Sequence, residues 1–466
     1  MSLGRVGAAM TGPVSPASWG PTTYQVVPGA RRFESLALAG CAFGVVGVYV
    51  LGVSLGYSDV DVWGAFVVPT ILLVITVPLL ARSRWLREEG LVGIASIALV
   101  AKFIGSYLRY LLAWFVYSGN DSGRYHRVGS QIATDVLEGQ RSIWSMWPTG
   151  TSTAFIEQLN GIVALVSGRS MLASFMIFSW LSYLGLLGFI AAARRAVPGL
   201  RVRGYAIAVL FLPSMVFWPS SLGKDAWMVF GMGVMAVGIA RLLTGSLSGS
   251  LWFVAGGYAT ALVRPHVTAL LLAGLAVGFV GRQGGDRRPA YLSLLVLAGG
   301  LAAVVSARAS EVLPNFDAGL SAVLEETQRR SSQGGSEIEV VAPNSLLDYP
   351  VALVTVLFRP FLFESLSGIQ LLSALEGTVL FLWVMTRWRQ LRNAARSAAE
   401  VPYLRFAFVY VVGFGFAWSS VGNLGIIARQ RVQVLPLLLV VFFVGGRLAE
   451  RGRSVPDSNA ALESVQ

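Results

Sequence analysis

Residues 171–193, MLASFMIFSWLSYLGLLGFIAAA, decide the fold, because this stretch contains no charged side chain. An apolar helix of about 20 residues crosses the roughly 30 Å of hydrocarbon in a bilayer. Arg194 and Arg195 follow at once, as arginines do where a span emerges on the cytoplasmic side. The stretch therefore predicts a transmembrane helix.

The rest of the chain has the same apolar character. Hydrophobic residues make up 55% of it and charged residues only 13%, against about 25% charged residues in soluble domains. The apolar residues fall into blocks of about 18–25, the length of a membrane span. We predict an all-α transmembrane bundle over residues 34–448. It has about 12 spans, near residues 35–56, 62–81, 90–116, 171–193, 204–219, 226–244, 251–264, 267–281, 290–307, 367–386, 404–422 and 432–447.

The net charge of +12 reflects topology rather than nucleic-acid binding. Most arginines lie in short loops between apolar blocks, where cytoplasmic loops carry their excess of basic residues. Placing these loops inside puts both ends of the chain in the cytoplasm. The polar segments 1–33 and 449–466 are predicted to be disordered tails. Cys41 is the single cysteine, which excludes a disulfide within the chain.

Two loops are much longer than the others, at about residues 117–170 and 308–366, and this topology places both outside. The second contains YPVALVTVLFRPFLF, residues 349–363, which is short and interrupted by Arg359 and Pro360. Broken backbone is tolerated at membrane depth only where protein or a wet cavity covers it. We therefore interpret this segment as re-entrant.

Unusual polar residues collect on the predicted outer side, in five separated segments. Any one of them could be an interfacial anchor that snorkels to the membrane surface. Together, ionisable groups at this depth indicate a functional site, and converging cations suit a phosphate group. The candidates are Asp121, Arg124, Tyr125, Trp218, Lys224, Asp225, Arg264, His266, Arg359, Glu364, Arg429 and Arg431.

Three ionisable residues lie within predicted spans instead. Lys102 and Arg109 are seven residues apart on one helix and share nearly one face. Glu376 is expected to pair with one of these cations in the bundle interior. Such a pair either fixes the register of the helices or serves a substrate.

Motifs at these positions resemble bacterial membrane proteins of polysaccharide assembly. They read PSS-x-x-KD at 219–225, R-x-H at 264–266, F-R-P-F-x-x-E at 358–364 and G-N-x-G-x-x-x-R-Q-R at 422–431. In their order along the chain and their common side of the membrane, these motifs resemble those of the Wzy-like and exopolysaccharide-polymerase family. That family is similar in layout to GT-C glycosyltransferases. The GT-C pattern carries an acidic pair after its first span, whereas here that loop offers only Asp59 and Asp61 and is very short.

The resemblance implies an enzyme that joins sugars outside the cytoplasm with a polyprenyl-(di)phosphate-linked donor. Asp121 would be the general base, with His266 as the alternative. Four cations, Lys224, Arg264, Arg429 and Arg431, would hold the (di)phosphate, and Arg359 would support it. Tyr125 and Trp218 would stack on a sugar ring. Membrane lipids and envelope-polysaccharide assembly proteins are the implied partners.

Two other classes of function remain open. A transporter or flippase of lipid-linked glycans would use Lys102, Arg109 and Glu376, although such proteins often show two related halves and none are visible here. A non-catalytic scaffold is the third class. No His/Cys spacing predicts a metal site, while Mg²⁺ held mainly by phosphate would leave almost no trace in the sequence.

Overall fold

The computed structural model describes residues 60–116, 120–279, 288–312, 320–331, 347–364 and 368–444. Within them the chain is all-helical, as predicted, and the extended backbone is limited to an isolated bridge between Leu200 and Val444. The predicted span 35–56 and both predicted tails lie outside the described residues. The helices are α1 (Val60–Arg82), α2 (Arg84–Glu88), α3 (Val92–Phe115), α4 (Asn120–Leu137), α5 (Ser152–Val166), α6 (Met171–Ala196), α7 (Val202–Phe211), α8 (Pro213–Phe217), α9 (Lys224–Leu243), α10 (Gly249–Val263), α11 (Pro265–Phe279), α12 (Arg288–Val312), α13 (Leu320–Ser331), α14 (Tyr349–Phe358), α15 (Gly368–Thr386), α16 (Trp388–Ser397), α17 (Pro402–Trp418), α18 (Leu424–Gln430) and α19 (Leu435–Phe442).

Four of the described helices are long and apolar enough to cross a membrane. They are α1 from Gly64 onward, α3, α6 and α9. A fifth span results if Leu424–Gln433 and Leu435–Phe442, which meet at 62°, are counted together. Several long apolar helices are what a membrane protein requires. Counted by length and composition, the described helices give fewer spans than the predicted total of about 12.

The shortfall has a local cause, because several apolar blocks break into shorter helices. The predicted span 204–219 is two helices, α7 and α8, which part at Leu212 before Pro213. Proline has no N–H and disfavours the helical conformation of the residue before it. The segment 349–363, which is not one of the 12 predicted spans, is the 10-residue helix α14 followed by a short 3-10 turn at Leu362–Glu364, and its predicted re-entrant course is not confirmed.

Small residues bring the central helices into close contact. A Cβ atom added to Gly233 of α9 would lie only 2.0 Å from the backbone oxygen of Gly185 in α6. Around Gly238, it would lie 2.3 Å from the backbone nitrogen of Phe253 in α10. Lipid supplies no hydrophobic drive for helix association, so close approach at small residues is the usual route. This packing fixes α6, α9 and α10 as the centre of the bundle.

The bundle has two chemically different ends. At one end, Arg194 pairs with Glu89 (Nε–Oε1 2.7 Å) and with Glu88. Arg195 donates there to Thr244 (2.8 Å), which shows that α6 and α9 end side by side and therefore run parallel. The starts of α6 and α9 consequently lie at the opposite end, where the candidate residues are found.

The predicted loop 117–170 contains two packed helices, α4 and α5. Arg124 pairs with Glu157 near their starts, and Arg169 donates to Thr134 (3.0 Å) near their ends. The two helices therefore run parallel, joined by the connection 138–151. This arrangement carries Asp121 and the start of α5 to the same place.

Candidate functional site

A buried carboxylate, Asp225, organises the candidate site. It lies in the first turn of α9 and accepts a hydrogen bond from Nη2 of Arg264 at 3.0 Å and another from Nε of Arg429. Its side chain is only 2% exposed. One acid thus joins the start of α9, the corner between α10 and α11, and the helix α18.

Local sequence explains how the two arginines reach this carboxylate. Pro265 begins α11 and holds Arg264 out of helical conformation, at φ −141° and ψ 81°. Asn423 caps α18, because its side chain accepts hydrogen bonds from the backbone N–H groups of Gly425 (3.0 Å) and Ile426 (3.1 Å). The cap starts a helix that carries Arg429 in its last turn.

Lys224 adds a third cation next to this centre. Its ammonium donates to Oγ of Ser152 at 2.9 Å, which ties the start of α9 to the start of α5. The charges of Asp121, Arg264 and Arg429 all act on it, together with that of Asp225. Three cations and two carboxylates from three helices and a corner therefore share one neighbourhood.

Asp121 and Tyr125 form the side of the cluster contributed by α4. Asp121 is exposed in the first turn of the helix, and Tyr125 is buried one turn later with its hydroxyl bonded to Thr153. Burial, and then the charge of Asp121, raise the pKa of Tyr125 to about 12. The phenol therefore keeps its proton at neutral pH and acts as a hydrogen-bonding group.

His266 lies next to Arg264, close enough for the arginine's charge to act on its ring. The ring packs against Trp418 with 5.4 Å between centroids. Its buried Nδ1 has no hydrogen-bond partner among the described residues. It stays a candidate for the alternative base.

Three of the predicted site residues, Arg124, Arg359 and Glu364, are engaged elsewhere. Arg124 is paired with Glu157 at 2.7 Å. Arg359 and Glu364 pair with each other (Nε–Oε1 2.7 Å), and the same carboxylate accepts from the backbone N–H of Phe361. The F-R-P-F-x-x-E turn therefore closes on itself, and the expected meeting of Arg359 with the Asp225 cluster is not observed.

Arg431 and Trp218 also depart from the expectation. Arg431 is fully buried and donates from Nη1 to the backbone oxygen of Leu357 at 3.2 Å. The ring of Trp218 is covered by the guanidinium of Arg109, which lies 5.0 Å from its centroid. Residues two positions apart in a helical turn point to different faces, so the side chains of Arg429 and Arg431 point in different directions.

The expected ion pair of Glu376 with Lys102 or Arg109 is not observed. Lys102 donates to the backbone oxygens of Met215 and Pro219, both at 3.1 Å. Glu376 accepts from the backbone N–H of Ser214 at 2.6 Å. The two side chains satisfy backbone groups around the short helix α8, as broken backbone requires in an apolar interior.

Sequence reasoning missed several contributors to this region. Ser152 and Thr153 bind Lys224 and Tyr125, and Gln430 accepts from Nη1 of Arg264. Serine, threonine and glutamine are too common in loops to be singled out. Gln430 belongs to the motif at 422–431 that ends in R-Q-R. Its position between two arginines is the feature of the sequence that could have indicated its role. Asp61 accepts hydrogen bonds from the hydroxyl of Ser170, which caps α6, at 2.8 Å and from the backbone N–H of Leu172 at 3.3 Å.

Neither a family model, nor a curated protein, nor a solved structure matches this chain. Within the part of the chain that the structure describes, no group of three or more His, Cys, Asp or Glu side chains is placed to hold a metal ion.

Proposed function

We propose that the chain is an integral membrane glycosyltransferase or polysaccharide polymerase that uses a polyprenyl-(di)phosphate-linked sugar donor. The observation that carries the proposal is the convergence of Arg264, Arg429 and Lys224 around Asp225, with Asp121 beside them. Three cations against two carboxylates leave one positive charge in excess. That balance suits an anionic group better than a neutral substrate.

The chemistry assigns each group a separate task. The acceptor hydroxyl oxygen forms a bond to the anomeric carbon as the bond from that carbon to the phosphate oxygen breaks. The departing phosphate takes the electron pair, and the cations stabilise its charge. Asp121, exposed at the start of α4, takes the proton of the acceptor hydroxyl. Asp225 is too enclosed by its two arginines for that task and holds them in place.

The topology belongs to the same proposal. The arginine-rich end, with Arg194 and Arg195, faces the cytoplasm, and the Asp225 end faces outward across a plasma membrane. The apolar helices shorter than a full span complete the proposed total of about 12 as broken or tilted crossings. The segment from Tyr349 to Glu364 enters from the outer side. Envelope-polysaccharide proteins are the proposed partners.

Mass analysis of lipid-linked glycans in cells that lack the protein tests this function. We expect loss of surface polymer and accumulation of lipid-linked sugar units on the outer leaflet. Restoration by the wild-type chain, and not by Asp121→Asn, would tie the defect to the site. Accumulation on the inner leaflet would reject the proposal in favour of a flippase, and an unchanged glycan profile would reject both.

A further inference from the structure

The connection between α4 and α5 presents its apolar residues to the surroundings. Trp144 is 87% exposed, Trp147 is 74% exposed and Ile143 is 58% exposed. The segment is nevertheless well held. Met146 is buried beneath it, and the backbone N–H groups of Thr149 and Gly150 both donate to Oε1 of Gln158 at 2.9 Å. The tryptophans therefore project from a fixed turn.

This apolar surface continues from the candidate spans. Leu137 and Val166, at the adjacent ends of α4 and α5, are both exposed. Gly168 lies two residues after Val166, and a Cβ atom added at Gly168 would lie 3.9 Å from the side chain of Val60 at the start of α1. Phe115, at the end of α3, is exposed as well. The end of α5 thus adjoins the start of α1, which continues into a candidate span.

We propose that the connection 138–151 lies in the headgroup layer of the bilayer, with Trp144 and Trp147 inserted at the interface. Tryptophan is enriched there because its ring is apolar while its N–H finds polar partners. The aliphatic neighbours Ile143 and Leu137 favour lipid over a glycan, since they offer a sugar no hydrogen bond. The occupant of this surface is therefore the lipid itself.

The anchor has a consequence for the site. The connection ends at Ser152, which binds the ammonium of Lys224. Anchoring the tryptophans would hold the cation cluster at a constant height relative to lipid phosphates. The inference rests on the membrane placement of α1 and α3 and not on the proposed chemistry, so either can fail without the other.

Site-directed fluorescence tests the anchor, because Cys41→Ser removes the single native cysteine. Trp144→Cys and Trp147→Cys, made separately in that background, are labelled with bimane and placed in nanodiscs. Gln131→Cys, exposed on α4, is the matched control. We expect blue-shifted emission at 144 and 147 that brominated acyl chains quench, with neither effect at 131.

Labels at 144 and 147 with the emission and quenching of the control would overturn the proposal. So would a response to added oligosaccharide without lipid quenching, or excimer coupling between two copies of the chain. If either tryptophan variant fails to fold, Ile143→Cys keeps both tryptophans and reports on the same turn. An unquenched label there would equally reject the anchor.

Discussion

Asp225 and Arg264 join the first residues of one candidate span to the corner that ends the next helix. Their Oδ1 and Nη2 atoms lie 3.0 Å apart, with side chains only 2% and 12% exposed. Such a pair is costly to desolvate and is held only by good geometry. Because the same carboxylate also accepts from Arg429, one acid sets the position of two potential phosphate-binding groups.

Asp225→Asn should destabilise the protein strongly. Removing one partner of a buried charge pair costs about 3–5 kcal/mol, since the largely buried Arg264 and the half-buried Arg429 would lose their shared counter-charge. Thermal unfolding in detergent measures the effect. Asp135→Asn is the control, because the Asp135 carboxylate accepts a hydrogen bond from the neighbouring Gln131 in an exposed position. Equal midpoints for the two variants would contradict the role given to Asp225.

Asp121→Asn should separate activity from stability. A general base contributes about 10²–10⁴-fold to rate, so polymer formation should fall by that factor. The side chain is exposed, so the unfolding midpoint should stay within the range of the Asp135→Asn control. Unchanged polymer formation in the Asp121 variant would remove this residue from the mechanism.

The two lysines of the chain should behave oppositely when changed to methionine. Lys102→Met removes two hydrogen bonds from a charged donor to backbone oxygens, worth about 1.5–3 kcal/mol each, and should lower stability. Lys224→Met removes one bond to Ser152 and should mainly lower activity. Unfolding and polymer assays distinguish them. A stable but inactive Lys102→Met protein would instead favour a transport role for this residue.

Gly233→Ala should loosen the contact between α6 and α9. The added Cβ would lie 2.0 Å from the backbone oxygen of Gly185, so the helices must separate. Overpacking of this kind costs about 1–3 kcal/mol. In Gly299→Ala the added Cβ would meet no atom of the described residues within 4 Å, which makes this variant the control. Unfolding midpoints measure both, and equal losses would refute the close packing.

Stability should depend on pH through His126. Burial lowers the pKa of this imidazole below its usual 6.5, an effect that the nearby Asp61 carboxylate opposes. The unfolded chain therefore takes up the proton first. The contribution of His126 to the free energy of unfolding is constant above about pH 6.5. As the pH drops from there toward the folded-state pKa, this contribution makes the protein less stable. Between pH 7.5 and 5.5, the wild-type midpoint should fall further than that of His126→Gln; parallel curves would contradict this.

The helical blocks were predictable because they depend on apolar runs and their interruptions. The ranges predicted for α3 and α6 differ from the observed helices by only a few residues, since a long apolar run without proline has one favourable conformation in lipid. The number of full spans was less predictable. Pro213 and the bend at Val434 shorten blocks whose composition alone suggested a crossing.

The candidate site was predictable in its composition and less so in its pairing. Lys224, Asp225, Arg264 and Arg429 were all selected by residue type and common side, and they do lie together. The separate pairing of Arg359 with Glu364 was not foreseen. A charged side chain near a membrane takes the nearest counter-charge, and that choice depends on a turn whose shape the residue pattern does not specify.

By itself, the sequence determined the helical class, the apolar segments and the supply of charges, because all three follow from composition and spacing. Only the tertiary structure decided which charges meet. Asp225 contacts arginines 39 and 204 residues away. Partners that distant are chosen by the packing of α9, α10 and α18, and local spacing carries no information about them.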